Sequence, residues 1–397
     1  MSTMTTMLMN PLLEKQNMFR PIVRSVDLCS GIGGNALAFL SFAEPSMYCD
    51  IDQSVVDILN SIIDRGLLPR AHISRDVRLA SIPKGTRFLS CSWPCQDNSA
   101  AGKYHGTGGM HGERSGLIKN VVGLILSSRP DIIFLENTPL VTANGSVDFV
   151  LRSLPGYDIA WGRMHACDVG YPHERARFFA VGVRRRAFSR ALLRVCVHRS
   201  KAYTFSKQGE PRRLVPRTAQ NTARCRALGN AVVPACSKTA FEVLGRILLR
   251  RRVEGPCTAS DGRLPPWGAQ LGGRRHLLRK PTFPRAATNI ILDPAAYSPP
   301  AGHTNQRNLG KLLLVPSVRT VWSTPRHGNT HACHVLSERS VRDIGTQARF
   351  ERSTPEEHRS GQPNAEFLEH IMGFPIGWTG AGDVACMTLV PKDPRDA

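Results

Sequence analysis

Short apolar runs alternate with stretches of helical period from residue 21 to about residue 190. Residues 22–28 predict a first strand, and residues 35–42 a short helix opened by the glycines before it. Residues 46–49 predict a second strand, and residues 55–63 place apolar side chains at helical spacing. A third strand is expected to end at Asp76 and Val77. The run Arg87-Phe88-Leu89-Ser90-Cys91 reads as a buried strand. An apolar-striped helix is predicted over 117–126, followed by a strand over 131–135. Residues 157–167 and 177–183 predict two more strands, split by Tyr171-Pro172-His173-Glu174-Arg175-Ala176. Strands and helices in alternation predict an α/β fold on a doubly wound sheet.

The pattern fades in two places. Residues 187–222 are basic and read as irregular. The segment Ala227-Leu228-Gly229-Asn230-Ala231-Val232-Val233-Pro234 then leads into a predicted helix over 235–249. Beyond Arg252 proline and glycine rise, arginine is dense, and regular patterning stops. It returns in Asn364-Ala365-Glu366-Phe367-Leu368-Glu369-His370-Ile371-Met372, a helix stopped by Gly373-Phe374-Pro375. The expected organisation is a loose tail over 1–20, a domain over 21–250 and a basic, irregular C-terminal region over 251–397, with the boundary near 251–260.

Charge adds a partner. The chain has 397 residues, a net charge of +21 and a pI near 10.1. Such an excess favours a polyanion, most simply nucleic acid. Arginine clusters at Arg184, Arg185 and Arg186, at Arg250, Arg251 and Arg252, and at Arg274 and Arg275 suit phosphate contacts. The 11 cysteines form no CxxC pair, which points to reduced thiols and an intracellular setting. His331-Ala332-Cys333-His334 is the one metal-like cluster; it lacks a second pair of ligands, so no metal is expected. No run is long enough to span a membrane, and the reading is a soluble monomer.

Candidate chemistry sits where predicted strands end. The first is followed by Cys29-Ser30-Gly31-Ile32-Gly33-Gly34, a loop that brings backbone close to a ligand. Asp50 ends the next strand, nineteen residues after Gly31, where a carboxylate can accept from ribose hydroxyls. Asp76 ends the third and could meet an adenine amino group. Ser92-Trp93-Pro94-Cys95-Gln96-Asp97-Asn98-Ser99 follows the fourth, and Glu136-Asn137-Thr138 closes the fifth. Nicotinamide-binding folds share the first two features.

A glycine loop, a Pro-Cys and a Glu-Asn in this order resemble the DNA cytosine-C5 methyltransferase family. The resemblance covers roughly residues 24–250 and a patch around 364–379. It implies a Rossmann-like sheet of the S-adenosylmethionine-dependent methyltransferase type, with an irregular C-terminal region. It implies S-adenosylmethionine as cofactor, duplex DNA as partner, and methyl transfer to C5 of a flipped cytosine. Cys95 is then the nucleophile, since addition of a thiolate at C6 makes C5 reactive. Glu136 hydrogen-bonds N3 of the base. Arg177 contacts the base or its phosphate, and Arg175 positions Glu136. Asp27, Cys29, Gly31, Gly33, Gly34, Asp50, Ile51, Asp76, Val77, Pro94, Asn230 and Val232 are the residues expected to hold the cofactor.

Cys29 stands where the family usually has an aromatic residue, Thr138 where it has valine, and His173 where it has glutamine. The family commonly places target recognition before the Gly-Asn segment. Here that gap is short, and Gly373-Phe374-Pro375 comes far later, so target recognition is expected in 251–397. Trp322 and Trp378 are candidates for groove or packing positions. A chain ending near Arg252 is expected to keep the whole cofactor sheet. An RNA cytosine-C5 methyltransferase and a catalytically impaired DNA-binding relative are the alternative readings.

Overall fold

The computed structural model describes residues 21–94, 116–171, 173, 175–200, 203–205, 211, 214–216, 218–251, 253–257, 264–281, 361–381 and 389–391. The expected tail, Cys95, Trp322 and the His331–His334 cluster lie outside these residues.

The chain opens with strand β1 (Val23–Leu28), helix α1 (Gly34–Phe39), β2 (Ala43–Cys49), α2 (Gln53–Asp64), β3 (His72–Ser74) and β4 (Phe88–Cys91). Helix α3 (Leu117–Ser128), β5 (Ile132–Asn137), α4 (Ser146–Ser153), β6 (Tyr157–Met164) and β7 (Arg177–Arg184) follow. Next come α5 (Ala187–Ser200), β8 (Tyr203–Phe205), β9 (Leu214–Pro216), α6 (Ala219–Asn230) and α7 (Pro234–Arg250). The described remainder is β10 (Gly255–Pro256), β11 (Trp267–Leu271), β12 (Arg274–Leu277), β13 (Gly361–Pro363), α8 (Ala365–Met372) and β14 (Leu389–Pro391).

One sheet runs in the order β10-β12-β11-β6-β7-β5-β4-β1-β2-β3. Strands β3, β2, β1, β4 and β5 are parallel, and β7, β6, β11, β12 and β10 pair antiparallel. The fold is the α/β, Rossmann-like arrangement expected. From β1 the chain winds outward through β2 and β3, then returns to lay β4 on the other side. Carboxyl ends of strands at such a reversal flank a natural crevice.

Parallel strands are covered on both faces, so β4 and β5 are buried along their whole length. Their side chains alternate between two cores. Ile132 and Phe134 join one core with α1, α2 and α5 to α8, while Ile133 and Leu135 join the other with α3 and α4. Phe39, Phe42, Phe88, Phe134 and Phe241 form the centre of the first, with edge-on and stacked rings.

Two expectations change. Within 187–222, read as irregular, α5 buries Leu193, Cys196 and Val197 at helical spacing. Its many arginines hid the stripe. Helix α6 is started by Thr218, whose side chain accepts from Asn221 N–H. The sheet also does not end near residue 250. Strand β11 pairs with β6, setting Trp267 opposite Gly162 and Gly268 opposite Trp161. Each glycine lies under the other strand's indole, and a Cβ at either would strike that ring. The pairing is long-range, so the local pattern gave no sign of it.

The late helix belongs to the same body. Asn221 on α6 donates to Pro363 O at 2.8 Å and accepts from Ala365 N–H at 3.0 Å. Glu369 is fully buried, and Arg224, Gly377 N–H and both Thr379 N–H and hydroxyl donate to it. Trp378 is a packing residue: it is fully buried, and its indole donates to Ile32 O at 2.9 Å. No helix among the described residues is long and apolar enough to cross a membrane.

Candidate active site

A cavity of about 620 Å³ lies at the carboxyl ends of β1 to β5. Its floor is the turn after β1. Cys29 and Gly31 there take left-handed φ values of 51° and 55°. A Cβ at Gly31 would meet nothing within 4 Å, so the backbone on that side is open to a ligand. Gly34 also lines the cavity but is packed tightly by Val232 and by Phe374. Three strings far apart in sequence therefore meet here: the glycine loop, the Gly-Asn segment and Gly-Phe-Pro.

Acidic residues gather at the ends of β2 and β3. Asp50 accepts from Gly31 N–H at 2.8 Å and from Asp52 N–H at 3.1 Å. Burial raises its pKa above the usual carboxylate range, partly offset by these bonds. Asp76 takes a bidentate ion pair from Arg78, with contacts of 2.7–3.0 Å. Those hydrogen bonds lower its pKa. Ile51, Asp52, Val77 and Arg78 line the same end.

The opposite end is built by β4 and β5. Ser92, Trp93 and Pro94 line it, beside Glu136 and Asn137. Asn137, nearly fully buried, donates to Trp93 O at 2.9 Å and so fixes the turn two residues before Cys95. Glu136 is 7% exposed and pairs with Arg177 at 3.2 Å.

The expected partner of Glu136 was Arg175. Instead Arg175, 2% exposed, donates to Gly229 O at 3.0 Å and also to Ala231 O. It closes the turn that carries Asn230 to the cavity, and Arg177 takes its place beside Glu136. A forked guanidinium can bridge two carbonyls; the sequence could not say which arginine met which group.

Asn230 and Val232 line the cavity wall. Gly33, packed against Leu68, and Asp27 do not. Asp27 accepts from Ser90 at 2.6 Å, and burial lifts its pKa to about 7. Beside it Asn35 donates to Ser92 and accepts from Ser237, a polar link the sequence did not suggest. His173 is fully buried with its Nε2 3.3 Å from Met372 Sδ, and burial depresses its pKa to about 3. Among the described residues no cluster of His, Cys, Asp and Glu could hold a metal.

The C-5 cytosine-specific DNA methylase model matches residues 23–212. Type II methyltransferase M.CviJI of Paramecium bursaria Chlorella virus IL3A is 24% identical, covering 85% of this chain and 94% of that protein. Type II methyltransferase M2.ScrFI of Lactococcus lactis subsp. cremoris is 35% identical, over 24% of this chain and 28% of that protein. Type II methyltransferase M2.BsuMI of Bacillus subtilis (strain 168) is 30% identical, over 39% of this chain and 40% of that protein. The first match spans almost the whole relative, the other two less than half of theirs. The matched region, just under half of the chain, holds β1 to β7, every strand whose end lines the cavity.

Proposed function

We propose that this chain is a DNA (cytosine-5-)-methyltransferase. It transfers a methyl group from S-adenosylmethionine to C5 of a flipped cytosine through a covalent adduct with Cys95. One observation carries this reading. A single cavity joins the glycine turn and acidic rim to the Glu136–Arg177 pair, with Asn137 holding the turn that leads to Cys95.

The cofactor fits the residues present. A cavity of about 620 Å³ falls in the range that encloses a nucleoside-sized ligand. Asp50 and the open backbone at Gly31 would hold the ribose end; Pro94, Asn230 and Val232 would hold the other. When bound, S-adenosylmethionine supplies an electrophilic methyl group. The chain's own part concerns the base. Cys95 thiolate forms an S–C6 bond, which moves electron density to C5. Glu136 hydrogen-bonds N3 as the thiolate adds, and Arg177 orients it. Loss of the C5 proton and release of the thiolate then restore the ring. Arg175 acts at a distance, by fixing the Gly-Asn turn.

Target recognition is assigned to the C-terminal region, 251–397. The gap before Gly229 is taken up largely by α5 and α6, and β10 to β12 and α8 serve the catalytic body. The residues between β12 and β13 are left for the DNA.

The test is methyl transfer from labelled S-adenosylmethionine to duplex DNA and to transfer RNA, with wild type and Cys95→Ser. Wild type should label cytosine C5 in duplex DNA, and the serine variant should label nothing. Labelling of transfer RNA alone, or equal labelling by the serine variant, would overturn the reading.

A further inference from the structure

Adenine binding usually needs a flat face against the ring, and among the described residues the acidic end of the cavity has no aromatic one. Among the described lining residues Trp93 is the one aromatic. It is 2% exposed and stands at the opposite end, where its carbonyl meets Asn137. The acidic end offers Ile51, 65% exposed, and the guanidinium of Arg78.

We propose that Arg78 is the stacking face for the adenine ring of the cofactor, and that Asp76 is its anchor rather than a direct ligand of the adenine amino group. This rests on the S-adenosylmethionine reading above. Asp76 receives four contacts from Arg78. The backbone N–H meets Oδ1 at 2.8 Å, Nε meets Oδ1 at 3.0 Å and Oδ2 at 2.9 Å, and Nη2 meets Oδ2 at 2.7 Å. The single Nε–H is shared between the two oxygens, so three N–H groups of Arg78 take up most of the roughly four acceptor sites of this carboxylate. The fork fixes a planar cation beside the cavity while leaving its side chain 48% exposed. Guanidinium planes stack on aromatic rings; an ammonium has no such plane. The neighbouring loop is also fixed: Arg75 donates to Ile51 O at 3.1 Å and to Gln53 Oε1 at 2.6 Å. The loops after β2 and β3 are thereby strapped into one rim, with Ile51 and Arg78 on it.

The experiment is calorimetric titration of S-adenosylhomocysteine into wild type, Arg78→Ala, Arg78→Lys, Asp76→Asn and the Asp76→Asn/Arg78→Ala double variant. Melting curves would confirm that each is folded; Arg78 is half exposed, so its loss should not unfold the protein. Both Arg78 variants should bind roughly 3- to 30-fold more weakly, the range of one cation–π contact. Lysine should not rescue. The double variant should bind no worse than Arg78→Ala. Wild-type affinity in either Arg78 variant would overturn the proposal. A double variant with additive losses would show that Asp76 touches the ligand itself, and would overturn the anchor role. A wild type that binds no S-adenosylhomocysteine would instead overturn the cofactor reading.

Discussion

Asp27 and His173 are both buried, and their effects on stability run in opposite directions with pH. Asp27 has an ordinary value of 3.8 and a folded value of about 7. Between these values the folded state holds the extra proton, so stability falls as pH rises, and levels above about 7. His173 moves from 6.5 to about 3. Between those values the unfolded state holds the extra proton, so stability falls as pH drops. Over the shared span the two slopes oppose, one proton each. Asp27→Asn removes one of them. Its stability should therefore rise with pH between about 4 and 6.5 by up to about 1.4 kcal/mol per unit relative to wild type. Urea midpoints at three pH values in that span would show it; parallel curves for the two proteins would contradict it. Two further residues separate chemistry from positioning. Glu136→Gln should lower kcat by roughly 10²–10⁴-fold in single-turnover assays, and an unchanged rate would remove the carboxyl from the base. Arg175→Ala leaves two carbonyls at the Gly-Asn turn without this donor. It should cost about 1–3 kcal/mol by denaturation and weaken S-adenosylhomocysteine binding. Full stability and affinity would show that the turn holds itself.

At the level of elements, a cut at Arg252 now has a different expected outcome. It removes Trp267 from its place over Gly162, and with it the whole Glu369 network and the Trp378 bond to Ile32. Losing one large buried aromatic alone costs about 3–5 kcal/mol, a large share of a domain's stability. The truncated chain should show no cooperative melt, and a melt at the wild-type temperature would contradict this packing. The cavity lining at the strand ends was legible because its groups sit in short local strings: Cys29-Ser30-Gly31, Ser92-Trp93-Pro94 and Glu136-Asn137. The sequence carried β1, β4 and β5 because buried parallel strands are continuous apolar runs, and β6 and β7, antiparallel but buried along almost their whole length, read the same way. It did not carry α5, where arginines mask a narrow apolar stripe, nor β11 and β12, whose place depends on pairing with a strand a hundred residues earlier. The exchange of roles between Arg175 and Arg177 was unreadable for a related reason. Two like side chains two positions apart differ only in which way the folded backbone turns them, and Arg175 takes a φ of 27°.

For the whole molecule, a charge of +21 sets how it meets a polyanion. Affinity for duplex DNA should fall steeply with salt, linearly in logarithmic form, as counterions are released. Fluorescence anisotropy between about 50 and 200 mM salt measures that slope, and a flat dependence would contradict the electrostatic account. On the proposed mechanism, Cys95 adds covalently to cytosine in duplex DNA. A duplex with 5-fluorocytosine at the target tests it most directly, because fluorine at C5 blocks the proton loss that frees the enzyme. Incubated with S-adenosylmethionine and resolved under denaturing conditions, wild type should migrate as a stable protein–DNA complex, and Cys95→Ser should not. A wild type that methylates ordinary duplex DNA yet forms no such complex would contradict the account.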